Sequence, residues 1–223
     1  MKFLLASFAL LLTNPAFAKF EVPGLELVYT APVETKLEAA DLRAPVEVWV
    51  EMINSAKKTL EFGQMYAVSK AGEPLEKVLE ALEQAGERGV KIRFMVEKKM
   101  MRASDPATLD RLRKIKNLQL QIFEFGKLGT DGIVHAKYFV VDGKEAYVGS
   151  QNFDWRSLKH IHETGLRISD TKIVKQISEI FEQDWKNSAL LEKGRKLPEF
   201  KAPGKFASPS DKAAAYLVAS PPN

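Results

Sequence analysis

The spacing of apolar residues changes character several times along this chain, and each change marks an element. Near the start, Phe3-Leu4-Leu5-Ala6-Ser7-Phe8-Ala9-Leu10-Leu11-Leu12 runs unbroken behind Lys2, stops at Asn14-Pro15 and gives way to Ala16-Phe17-Ala18. One positive charge, a short apolar core and a small-x-small end form the pattern of a secretory signal peptide over residues 1–18, with a buried N-terminal helix as the alternative reading. Residues 19–43 form a mixed N-terminal extension, in which Leu25-Glu26-Leu27-Val28-Tyr29-Thr30 suits a short strand.

From Ala44 the pattern sharpens. Val46, Val48, Trp49, Met52, Ile53 and Ala56 recur at helical spacing, and Thr59 to Val68 reads as a strand. Pro74 sits where a helix accepts its first residue, and Leu75, Val78, Leu79 and Leu82 give the i, i+3, i+4, i+7 stripe. Gly86 and Gly89 end that helix, and Val90 to Val96 alternates as a strand does. Pro106 to Lys116 is predicted helical and Leu118 to Phe125 extended. Ile133 to Val141 and Glu145 to Val148 are predicted to pair across Asp142-Gly143, a good hairpin turn. Thr164 to Ser169 reads as a strand and Thr171 to Leu191 as a long amphipathic helix. Strands alternating with helices predict an α/β fold, a mixed β-sheet flanked by helices in an α/β/α sandwich. The core domain is assigned to residues 44–193. After it, residues 194–223 shift to Pro, Ala, Lys and Ser and read as a flexible tail.

Charge alters this picture little. The net charge is +4; the tail carries five Lys and Arg against two acids, and Lys2 adds one more, so residues 19–193 are neutral. The basic balance belongs to the tail and describes no polyanion-binding core. The absence of cysteine excludes thiolate catalysis and Cys-based zinc sites. After signal removal no second long apolar stretch remains, so no integral membrane segment is expected.

The chemistry lies in His135-Ala136-Lys137, four residues, Asp142, six residues, and Gly149-Ser150-Gln151-Asn152. A phosphodiester repels nucleophiles with its negative oxygens, so a site must neutralise that charge and offer a nucleophile free at neutral pH. Imidazole meets the second need. His135 and Lys137 stand two apart on an expected strand, so both point to one face, and Lys137 brings an ammonium to the oxygens around the phosphorus. Asn152 can donate its amide to the same oxygens, Ser150 its hydroxyl, and Gly149 permits close backbone approach. For Ser150, shaping the turn is an equal alternative. Attack by His135 would give a phosphohistidine that water opens, splitting one hard displacement into two easier ones.

The pattern H-x-K-x4-D-x6-G-S-x-N resembles the signature of the phospholipase D superfamily, and the match is complete. Phe153-Asp154-Trp155-Arg156-Ser157-Leu158 and Glu163 resemble its continuation in members related to the endolysosomal exonucleases. Asn54 to Leu60 and Glu87 to Ile92 are similar to the family's first helix and second helix-to-strand joint. The resemblance covers about Pro45 to Phe181. It implies the phospholipase D-like fold and His135 as nucleophile. It also implies Lys137 and Asn152 as phosphate ligands, Glu163 as the partner of the second ring nitrogen of His135, and Asp142 as a support for the turn. The expected substrate is a phosphodiester, nucleic acid before phospholipid, with a catalytically silent binding module as the reading from another class. No metal or cofactor is implied.

The leaving oxygen needs a second acid, yet the chain has one H-x-K. Small single-motif members of the family solve this as two-fold dimers sharing a site, and a homodimer is expected here. His160 and His162 lack the Lys and Asn spacing and suit surface or supporting positions. Trp155 suits a groove wall or the core equally, and Lys98-Lys99-Met100-Met101-Arg102 suits a phosphate grip or a solvated loop. The signal pattern places the protein in the periplasm or outside the cell.

Overall fold

The computed structural model describes residues 22–128 and 132–195. The expected signal peptide and nearly all of the expected tail lie outside the described residues. A seven-stranded mixed sheet forms the centre. In chain order its strands are β1 (Leu25–Thr30), β2 (Thr59–Gln64), β4 (Lys91–Glu97), β5 (Leu118–Phe123), β6 (Lys137–Val141), β7 (Glu145–Gly149) and β9 (Glu163–Ile168), arranged β1-β9-β7-β6-β2-β4-β5. A second, two-stranded sheet joins β3 (Ala67–Val68) to β8 (Phe153–Asp154) in parallel. Helices α1 (Pro45–Ser55), α2 (Leu75–Glu87) and α3 (Pro106–Lys114) cover one face, and α4 (Thr171–Glu192) covers the other. The result is an α/β/α sandwich.

Two crossovers, β2-α2-β4 and β4-α3-β5, give the parallel half. The other four pairings are antiparallel. The strands with both faces covered read as nearly continuous apolar runs because each face meets a helix layer. One row of rings crosses four of them. Phe62 stacks on Phe94 at 5.2 Å and on Phe139 at 4.8 Å, and Phe139 stacks on Tyr147 at 5.6 Å. Each of these pairs also occupies facing register positions. Trp49 of α1 meets the row edge-on, 5.3 Å from Tyr147 and 5.8 Å from Phe139. Each such pair adds about 1 kcal/mol beyond area burial, so this row rigidly supports the strands that carry the motif.

The structure departs from the predicted elements at three places. The predicted strand Thr59 to Val68 breaks at Met65-Tyr66. Past the break, Ala67 is held by Ser104 and Asp105, its N–H donating to Ser104 Oγ at 3.3 Å and its carbonyl accepting from Asp105 N–H at 3.0 Å. Competition from a segment this distant in the chain has no local signature. The expected strand Ile133 to Val141 starts only at Lys137, so His135 lies in the irregular stretch before β6. The sheet also reaches back beyond residue 44: β1 pairs along its whole length with β9 as the edge strand. Among the described residues no helix is long and apolar enough to cross a membrane.

Candidate active site

The motif residues come from the start of β6 and the stretch before it, the β6–β7 turn, and the end of β7 with the connection that follows it. The chain approaches His135 under control of Glu97. This buried carboxylate at the end of β4 accepts from Val134 N–H at 2.9 Å. His135 itself is exposed. Lys137 is buried at the first position of β6, facing Gln64 of β2 in the register. Its ammonium donates to the His135 carbonyl at 2.8 Å and lies 2.9 Å from Nδ1 and 3.2 Å from Nε2 of the ring. The two side chains therefore meet, although only Lys137 belongs to the strand.

Burial shifts both groups of this contact toward their neutral forms. Partial burial and then the Lys137 charge hold the His135 pKa below its ordinary value, because both disfavour an imidazolium. Burial pushes the Lys137 ammonium down to about 8, with the Glu163 charge acting the other way. At pH 7 the pair is thus a neutral imidazole beside an ammonium.

Asn152 is half-buried, and its Oδ1 has no hydrogen-bond partner among the described residues. A half-turn of the amide exchanges Oδ1 for the Nδ2 donor. An unpartnered buried amide is costly unless something arrives to satisfy it. Ser150 is exposed, and its hydroxyl accepts from Thr164 N–H at 3.2 Å and donates to the Thr164 carbonyl at 3.3 Å, tying the motif loop to β9. Gly149 faces Gly165 across β7 and β9. A methyl group at 149 would come 2.4 Å from Gln151 Oε1 and 3.0 Å from Gly165 Cα, and one at 165 would come 2.1 Å from the Tyr147 hydroxyl. The two glycines clear room for the buried Tyr147 hydroxyl to donate to Gln151 at 2.9 Å, which anchors the residue next to Asn152.

The two motif-associated carboxylates, Glu163 and Asp142, find their hydrogen-bond partners away from the His135 ring. Glu163 is buried at the start of β9 and accepts from the Ser157 hydroxyl at 3.0 Å. Its field reaches Lys137, whereas both ring nitrogens of His135 face the Lys137 ammonium. Among the described residues no hydrogen bond joins Glu163 to His135, because the ring lies over the ammonium. Asp142 stands five residues beyond Lys137, about 16 Å along an extended strand. Its carboxylate accepts from the backbone N–H groups of Lys57, Lys58 and Thr59 at 2.9, 2.7 and 2.8 Å. It fastens the β6–β7 turn to the joint between α1 and β2. Asp142 and Gly143 are both left-handed there, with φ of 54° and 64°.

His160 pairs with Glu34, and His162 lies edge-on to Tyr29 at 5.2 Å. Trp155 packs against the main core while remaining half-exposed, and Lys98–Ala103 forms a 3₁₀ helix. Tyr66 escaped the sequence reading. Its hydroxyl donates to the buried Asp154 carboxylate at 3.0 Å, and burial and the Asp154 charge push its pKa up to about 12. Asp154 and Ser157 were visible in the run after Asn152, but Tyr66 comes from the break after β2, where no local pattern marks it.

A family profile described as "Cardiolipin synthase, PLD-like domain" matches residues 49–185, which hold every motif residue. The chain belongs to the phospholipase D superfamily. It is 32% identical to phospholipase D Z of Dictyostelium discoideum over 66% of this chain and 36% of that protein. It is 31% identical to the 5'-3' exonuclease PLD3 of Xenopus tropicalis over 61% of this chain and 29% of that one. The chain thus spans about a third of the length of these curated relatives. Among solved structures it is similar in fold to NucT from Helicobacter pylori, at TM-score 0.58 and 17% identity, over 73% of this chain and 95% of that one. Nuc from Salmonella typhimurium gives 0.55 and 19%, over 74% and 94%.

Proposed function

We propose that this superfamily member is an exported phosphodiesterase that cuts nucleic acid through a phosphohistidine on His135. The observation that carries the reading is the contact of the exposed His135 imidazole with the buried Lys137 side-chain nitrogen. A ring nitrogen of His135 attacks phosphorus as the bond to the leaving oxygen breaks. Lys137 and the Asn152 amide neutralise the phosphoryl oxygens, and an acid protonates the leaving oxygen. Water then attacks the phosphorus, the P–N bond breaks, and the base form of that acid takes the water's proton.

The acid is assigned to a second copy of the chain. With His160 held by Glu34 and His162 against Tyr29, neither of the other two histidines is placed to serve as that acid within one chain. A two-fold dimer would bring a second His135 opposite the first. A nucleic-acid substrate is supported by the likeness to an exonuclease among the relatives. Hydrolysis of phospholipid head groups is the second reading, supported by the likeness to a protein called a phospholipase D.

Purified chain should be assayed, with EDTA present, against single-stranded DNA, double-stranded DNA, RNA and phosphatidylcholine. Cleavage of a nucleic acid and acid-quench trapping of phosphate on His135 are expected. Turnover of phosphatidylcholine alone would replace the substrate assignment, and a labelled residue other than His135 would replace the mechanism.

A further inference from the structure

Arg156 is an exposed arginine held firmly from below. The Asp154 carboxylate under it is fully buried. It accepts from Arg156 backbone N–H at 2.9 Å, from Nε at 3.0 and 3.1 Å and from Nη2 at 2.5 Å, with the Tyr66 hydroxyl adding a further bond at 3.0 Å. Burying a carboxylate is costly unless it is fully paired. Here the pairing also fixes the plane of the guanidinium. It leaves Nη1 without a partner among the described residues, on a side chain that is 49% exposed.

A second cation stands beside it. Lys70 Nζ lies 4.6 Å from the centroid of the Trp155 ring, and Arg156 Cζ lies 6.0 Å from the same ring. Lys70 is 60% exposed, and its contact with Glu73 is long at 3.9 Å, because Glu73 gives its short contact of 2.7 Å to Lys159. Two cations thus flank one indole, the first with its orientation already set.

This arrangement is tied through the backbone and through Ser157 to residues of the site. Asp154 N–H donates to the Asn152 carbonyl at 2.7 Å. Ser157, the residue after Arg156, holds Glu163, whose field reaches Lys137. We propose that Arg156 and Lys70, set on Trp155, form a second anion subsite for the phosphate next to the one attacked in a nucleic-acid strand. The proposal rests on the nuclease reading. A pinned guanidinium loses little freedom on binding phosphate and meets it with a planar fork. Phosphatidylcholine has no neighbouring phosphate to place there.

The test compares oligothymidylate with bis(p-nitrophenyl) phosphate, which carries a single phosphodiester, on the full chain and its variants. Arg156→Ala should raise KM for the oligonucleotide about tenfold, and Lys70→Ala about threefold. KM for the monomeric ester should shift less than about twofold, since it cannot span both subsites. Each lost cation should also reduce the slope of log KM against log salt by about 0.7 for the single strand, which a purely structural role would not do. Arg156→Lys should recover part of the loss. Arg156→Ala strands a buried carboxylate, so melting temperatures accompany the kinetics; Lys70→Ala touches no buried group and carries the test if Arg156→Ala does not fold. Cleavage of both substrates, with KM raised equally or not at all, would overturn the subsite and leave the nuclease reading standing. Cleavage of the monomeric ester without the oligonucleotide would overturn the nuclease reading and the subsite with it.

Discussion

The ammonium of Lys137 lies 2.9 Å from Nδ1 of His135 and 2.8 Å from its carbonyl oxygen, so one buried cation holds both the ring and the backbone of the nucleophile. Removing either partner should therefore damage the reaction in different ways. His135→Ala is expected to abolish turnover with the fold intact, since the exposed ring supports no core packing. Lys137→Ala is expected to lower kcat by about two to three orders of magnitude through lost neutralisation of the phosphoryl oxygens. Steady-state kinetics with circular dichroism checks both; near-native rates in a folded His135→Ala protein would discard the phosphohistidine.

Activity should follow a bell-shaped pH profile. The nucleophile becomes free as pH rises through the His135 pKa, which lies below the ordinary histidine value. The ammonium is lost as pH rises through the Lys137 pKa of about 8. If Lys137 sets the alkaline limb, Lys137→Arg should push that limb upward, because a guanidinium stays charged. An unmoved limb would assign it instead to the protonated histidine of a partner copy, as part of a coupled pair.

Asp142 should matter for stability and not for the chemical step. Burial alone would raise its pKa, but three backbone N–H donors hold it below the ordinary carboxylate value. A depressed folded-state pKa contributes stability that is present above the unfolded value and lost as pH falls through the folded one. Asp142→Ala is expected to cost about 1–3 kcal/mol in denaturant unfolding at pH 7, and to flatten the acid side of the stability profile. A large fall in kcat with unchanged stability would contradict the anchoring role.

A shared site makes a claim about mixing. Wild-type and His135→Ala subunits, reassorted in equal amounts, should give about one quarter wild-type dimers. Heterodimers would hold one histidine, so activity per wild-type subunit should fall to about half. A fully active monomer in sedimentation at assay concentration, or constant activity after verified exchange, would remove the second copy from the mechanism.

Much of this was legible in the chain itself. Apolar periodicity located β1, α2, β4 and α4 to within a residue or two of their ends, because each buries a defined set of side chains against the sheet or a helix layer. The fixed spacing of His135, Lys137, Asp142, Gly149, Ser150 and Asn152 marked the reacting segment and its family, because a hairpin of set length holds those residues in fixed relation. Tertiary structure alone decided what each residue touches. It started β6 only at Lys137, so that His135 reaches its ammonium from an irregular stretch. It sent Asp142 to the far end of the strand, to bind the backbone of residues 57–59. It turned Glu163 toward Ser157, and it brought Tyr66 and Lys70, more than eighty positions earlier in the chain, beside Asp154 and Trp155. Local spacing encodes contacts within one element or one turn. Partners on separate strands are chosen by sheet order and register, which form only when the whole core closes.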